Sequence, residues 1–273
     1  MNSRLRTPVS RLVFLLALAA AVAAGPPGSD EPFKEAATSP LSHVRAHAAA
    51  APPESLDQDD LKALIALLSD RDLKVRQLAA HGLGLRAEQA GERGARALVA
   101  AAVDPFSGVE YAAAQALALF GTTAYAPMRD TLLEKEVFAA SRAWRIFRAT
   151  DKGKDLSLVF LCRALTDEKD PAVRAMAALV LRHIGLADRD SVAALWTVAT
   201  GDAPAAVRAA SIRAFGRLGA MLATTDETGA THKYQKVVDA FPALRELQSD
   251  EDPAVKAAAQ EAMDLVEGRR SPK

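Results

Sequence analysis

Few residues of this chain are of types and at spacings that could do chemistry. His43 and His47 stand four apart, which on a helix puts two imidazoles on one face, the start of a metal site. A metal site needs at least a third ligand, and no nearby Cys, Asp or Glu completes the set, so the pair reads as two solvated histidines. His81, His183 and His232 are scattered singly. The one cysteine, Cys162, lies in the apolar stretch Leu156 to Leu165 and has no second thiol to pair with; it reads as a small core residue. No Gly-x-Ser-x-Gly, phosphate loop or Cys-x-x-Cys occurs. Acid pairs are abundant, but they sit at turns where helix capping and pairing with Arg explain them. The expectation is a non-catalytic chain with no catalytic residue, cofactor or metal.

Two places suit the holding of a partner better. Arg142, Trp144, Arg145, Arg148, Lys152 and Lys154 cluster within one short span, and Arg and Trp are the types that dominate binding hot spots. The competing reading packs Trp144 against a neighbouring helix and leaves the charges in water. The second place is the polar, turn-rich segment Thr224 to Thr231, which contains Asp226 and Glu227. Insertions in repeat proteins emerge as loops on one face, often the binding face. A neutral length variant is the alternative, since long surface loops cost little. The candidate partner-binding residues are therefore Arg142, Trp144, Arg145, Arg148, Asp226 and Glu227.

The elements that must position these residues come from a phrase repeated about every 34 residues: an acid, a Val five residues on, then usually Arg or Lys. It runs Asp70 to Val75-Arg76, Asp104 to Val109-Glu110, Asp202 to Val207-Arg208 and Asp250 to Val255-Lys256, with a shifted copy from Asp167 through Asp170-Pro171 to Val173-Arg174. Eight positions past each Val stands a large apolar residue: Leu83, Leu117, Leu181, Phe215 and Met263. Small residues such as Ala79-Ala80, Ala113-Ala114, Ala177-Ala178 and Ala258-Ala259 lie between. At helical spacing these share one face, and the alanines let neighbouring helices approach closely. Gly121, Gly185 and Gly219 stand twelve positions after their Val, where a helix end would want glycine. A second apolar segment precedes each phrase, as in Leu61 to Leu68, Leu156 to Leu165 and Val192 to Val198. Asp170-Pro171 and Asp252-Pro253 supply a cap and a first-turn proline between the two. A degenerate copy has Glu134, Ala139-Ala140 and Phe147 at the corresponding places. The unit is helix A, an acidic turn and helix B, six times over, with the Val position at 75, 109, 139, 173, 207 and 255. Between the last two the spacing grows from 34 to 48, so 14 extra residues fall near 220–236.

On these Asp, Pro, Val-Arg, Ala-Ala and Leu/Phe…Gly positions the chain resembles the HEAT repeat family, in particular the bacterial PBS-lyase HEAT-like type, over roughly residues 58–268. The resemblance implies an all-α, armadillo-like fold, a right-handed α-solenoid of about six helix-turn-helix repeats. It implies that the Val-Arg arginine pairs with its turn acid, Asp70 or Asp72 with Arg76 and Asp202 with Arg208. The structural repeat residues are then Asp70, Arg76, Asp170, Arg174, Asp202, Arg208, Asp250 and Lys256. Unit two departs, because Glu110 faces Asp104 and no such pair forms there. Such solenoids serve many unrelated roles, so the family implies little about function.

The first 24 residues read as a secretory signal: Arg4, Arg6 and Arg11, a short apolar core from Leu12 to Val22, then Ala21-Val22-Ala23-Ala24 before Gly25-Pro26-Pro27. An uncleaved N-terminal anchor is the alternative. Residues 25–57, rich in Pro, Ala and Ser, read as a flexible tether with a short helix near Leu41 to Ala50, and 269–273 as a tail. The chain has 34 basic and 34 acidic residues; without the three signal arginines 31 basic remain, a net charge of −3. That balance argues against a general nucleic-acid binder. The expected protein is exported to periplasm or medium, with no stable membrane span after cleavage and no nucleic acid. It is a scaffold whose partner is another protein or a peptide segment. A structural spacer in an envelope assembly is the alternative, with an enzyme or lyase-like activity in a concave groove behind it.

Overall fold

The computed structural model describes residues 32–134, 137–185, 187–222, 224–225, 231–232 and 235–269; within these the chain is all-α apart from one short β-ribbon. Two compact units divide between Ala124 and Tyr125.

In the first unit the helices are α1 (Phe33–Thr38), α2 (Ser42–Ala50), α3 (Gln58–Ala66), α4 (Leu73–Leu85), α5 (Ala87–Ala101) and α6 (Ser107–Leu119). They alternate as pairs, and the second helix of each pair packs on the second of the next: α2 on α4, α4 on α6. In the second unit they are α7 (Tyr125–Asp130), α8 (Val137–Arg148), α9 (Gly153–Asp167), α10 (Pro171–Ile184), α11 (Arg189–Thr200), α12 (Ala205–Met221), α13 (Gln235–Asp239), α14 (Phe241–Leu247) and α15 (Pro253–Val266). Here α8, α10, α12 and α15 stack in series. Each unit is thus an α-solenoid in its own right.

The repeated stripe is the core. Val75, Val109, Val207 and Val255 are fully buried, as are the paired alanines and Leu83, Leu117, Leu181 and Phe215. Small residues set the helix spacing: a Cβ at Gly216 would lie 2.6 Å from the Cα of Ala262, and one at Gly82 would lie 2.2 Å from the carbonyl of Ala49. Gly185 ends α10 in the left-handed conformation (φ 63°), as a C-terminal glycine should. Gly219 does not end its helix. It lies inside α12, which runs on to Met221, and its bare Cα admits Val237 of α13.

From residue 32 on, the expected tether is replaced by structure. Residues 33–50 form a helical pair of their own, in which Val44-Arg45 and the buried Ala48 and Ala49 reproduce the repeat stripe against α4. The segment that follows is held too, since the Arg86 guanidinium donates to the carbonyls of Pro52 (3.0 Å) and Pro53 (2.8 Å). Ser39-Pro40 stands where later turns carry an acid, which masked this seventh copy in the sequence. The 14-residue excess holds an antiparallel ribbon, Thr224–Thr225 against Thr231–His232.

The turn acids and the helix arginines do pair, but with a different partner from the one the resemblance implies. Arg45 forks onto Asp70 at 2.6 and 2.9 Å, and Arg76 onto Asp104 at 2.8 and 3.2 Å; each arginine reaches the acid of the next pair. The remaining Nη1 turns back to its own turn, Arg45 to the carbonyl of Ser39 and Arg76 to that of Asp70, both at 2.8 Å. The receiving acid also builds its turn: Asp70, Asp104 and Asp250 accept the amides of Asp72, Phe106 and Asp252. Arg208 reaches Asp250 in the same way across the inserted ribbon. Arg174 does not join the series, since its Nε donates to the carbonyl of Leu165, and Asp202 is exposed. Asp170 caps α10 through the amide of Ala172. Lys256, in the last described pair, is exposed.

Replacing Arg76 by Ala strands the Asp104 carboxylate, only 11% exposed, and is expected to cost about 3 kcal/mol in urea unfolding; an Arg76→Met, Asp104→Leu double variant should recover most of that loss. Hydrogen bonds from Arg45 hold the Asp70 carboxyl below the usual carboxylate range. Its stabilisation is therefore complete above the ordinary aspartate pKa of about 4 and is lost as the pH falls through the lower folded value. Asp70→Asn should narrow its stability gap to the native chain on acidification below about pH 4, followed by circular dichroism.

Candidate interaction surface

The helices α8, α10 and α12 together carry eight arginines and no Asp, Glu or Lys, whereas the intervening α9 and α11 carry both signs. Arg217 on α12 and Arg182 on α10 are half-buried, and the Nε of each is buried without a hydrogen-bond partner. Arg145 on α8 is exposed. Glu261 of α15 enters from the next helix and takes Arg182 Nη2 at 2.7 Å and Arg213 Nε at 3.3 Å, so one carboxylate is shared by arginines of two neighbouring helices. The pair Arg182–Glu261 runs between the two neighbours of α12, whose close approach to α15 depends on Gly216. His183 sits among these charges. Its pKa is lowered, first by burial and then by Arg145, Arg217 and Arg182, so the ring is held neutral where an isolated histidine would begin to charge.

The sequence-derived candidates separate on this surface. Trp144 is fully buried, and its indole Nε1 donates to the hydroxyl of Thr131 at 2.8 Å, which in turn donates to the carbonyl of Met128. It is a core residue, not a binding anchor, because an indole at that position of the repeat faces the preceding helix. Arg148 is engaged as well: its Nη1 donates to the carbonyls of Ile184 (2.8 Å) and Gly185 (3.2 Å) and so closes the last turn of α10. Arg142 is half-buried, and Arg145, Lys152 and Lys154 are exposed. Asp226 and Glu227 lie outside the described residues. Arg182, Arg213, Arg217 and Glu261 were missed; the signal lay in counting charge helix by helix, which a balanced total conceals.

Elsewhere the reactive side chains are muted. Burial pushes the Cys162 thiol up to about 11, which leaves it protonated and unreactive. Tyr125 is raised further, by burial and by its 2.8 Å hydrogen bond to Glu168, while the guanidinium of Arg163 lies 4.2 Å from the ring centroid. His43 is exposed and His47 half-buried on α2, and among the described residues no three metal-ligating side chains come together. Among the described residues no helix is long and apolar enough to cross a membrane.

Residues 61–144 match a family model described as HEAT repeats. Among solved structures the chain is similar to an engineered protein at 20% identity and a TM-score of 0.35, covering 86% of this chain and 95% of that one. It is also similar to human deoxyhypusine hydroxylase in complex with glycerol (16%, TM-score 0.34, covering 96% and 92%). A third is an archaeal HEAT-like repeats protein from Thermococcus onnurineus NA1 (12%, TM-score 0.34, covering 89% and 99%). Likenesses of this size carry no mechanism across. No curated protein matches the chain significantly.

Trp144→Ala should behave as a core truncation, losing about 3–5 kcal/mol in chemical unfolding, whereas Arg145→Ala should leave the unfolding midpoint unchanged.

Proposed function

We propose, from the premise that this is a HEAT-repeat chain, that it works as an exported scaffold binding another protein through the arginine-bearing face of α8, α10 and α12. The observation that carries this reading is the segregation of charge on those three helices, half-exposed on a backbone held by stacked alanines. A preformed surface binds without first being ordered, which spares the partner that entropic cost. Among the described residues the thiol and the buried phenol are held protonated, and Asp70 and Asp104 are engaged in their turns and in pairing with arginine. Export rests on Arg4, Arg6 and Arg11, the apolar run Leu12 to Val22 and the small residues after it, which lie outside the described residues.

The test is affinity capture of the full chain from the envelope fraction of its own host, with mass spectrometry. Recovery of one stoichiometric partner, together with the chain itself in that fraction, is the expected result. A bait that returns clean from both envelope and soluble fractions would overturn the scaffold reading, and residence of the native chain in the cytosol would overturn export.

A further inference from the structure

We infer that the arginine face of α8, α10 and α12 takes an acidic peptide segment of its partner, whose Asp or Glu carboxylates seat among Arg145, Arg182 and Arg217. This rests on the scaffold reading above and names the chemistry of what that scaffold holds.

The chain shows the intended ligand chemistry within itself. Glu261 is a carboxylate gripped by a guanidinium from α10 and another from α12, at 2.7 and 3.3 Å. Those two helices are therefore already spaced to share one carboxylate. One such acid leaves the face undersupplied. The buried Nε groups of Arg182 and Arg217 have no acceptor, and among the described residues no acid is paired with Arg145 or Arg217. Like charges on adjoining helices repel, so the face carries an excess of positive charge that incoming carboxylates would relieve. Each cation on the three helices is Arg and none is Lys, which suits planar, two-pronged recognition of carboxylates. His183 lies beside these guanidiniums without adding a further charge, because burial first, and then Arg145, Arg217 and Arg182, oppose its protonation.

The size of the site favours a peptide over nucleic acid. Arg148, Arg174 and Arg208 are committed to carbonyls or to Asp250, and Arg213 to Glu261, which leaves four of the eight cations, one of which, Arg182, already shares Glu261. DNA-binding surfaces commonly engage about six to ten phosphates. The large aromatic side chain of α8, Trp144, is buried and has no face to offer a base.

The test is fluorescence anisotropy of a labelled oligoglutamate peptide titrated with the full chain, beside labelled oligoglutamine and a single-stranded oligonucleotide. Oligoglutamate should bind and weaken with added salt, and oligoglutamine should not bind. The Arg145→Glu, Arg217→Glu pair should lose affinity by about tenfold or more while keeping the native circular dichroism spectrum, and the milder Arg145→Gln, Arg217→Gln pair should lose part of it. Lys62→Glu on α3 should leave binding as it is. Absence of oligoglutamate binding, or affinity indifferent to the arginine changes, overturns the inference. So does tighter binding of the oligonucleotide, or concentration-dependent self-association that the charge reversal abolishes. A captured partner that binds the charge-reversed chain as well as the native one would leave the scaffold standing and remove the acidic segment.

Discussion

The ion pair between a helix arginine and the turn aspartate of the following pair is the constraint on which the stack depends. The same carboxylate that receives Arg76 also accepts the amide of Phe106, so Asp104 forms its own turn and its junction with the preceding pair in one arrangement. The arginine is likewise double-ended, holding the next carboxylate with one edge and the carbonyl of Asp70 with the other. Both groups thus make several hydrogen bonds, the condition under which a largely buried pair becomes tolerable. Packing alone would permit helices of alanine and leucine to slide; a forked, directional pair specifies one register.

That register in turn determines which side chains reach solvent. Once the Val, Ala-Ala and large apolar positions are committed to the core, the remaining faces of α10 and α12 are fixed, and Arg182 and Arg217 fall together on them. The close approach at Gly216 brings α15 near enough for Glu261 to enter from the side. A larger residue at Gly216 would move α15 outward and detach the one acid that partly neutralises the surface. The core and the charged face are therefore consequences of the same small-residue stripe.

The period of the fold was plain in the sequence because the repeated Val and Ala positions are buried for the same reason in every copy. The copy at Ser42–Ala50 was harder to see, since Ser39-Pro40 replaces its acid and only Val44-Arg45 survives of the phrase. The resemblance implies the acid of the arginine's own turn as its partner, whereas the stacking of one pair on the next brings the following acid nearer. Trp144 drew attention by residue type, yet its place in the repeat directs it inward. The arginine face was hidden by arithmetic: equal totals of basic and acidic residues say nothing of how they are sorted among helices.

A junction whose donor and acceptor are the same at each occurrence does not register how many occurrences there are. Excising residues 70–103 would bring Asp104 to the position of Asp70 and offer Arg45 an equivalent carboxylate. A deletion of any other length would leave that guanidinium facing an unrelated side chain. Gene duplication and unequal crossing-over are thereby channelled into whole periods, and length that is not a whole period has to be looped out between junctions. The ribbon at 224–232 is such a case, lying between Arg208 and Asp250 without breaking their pairing.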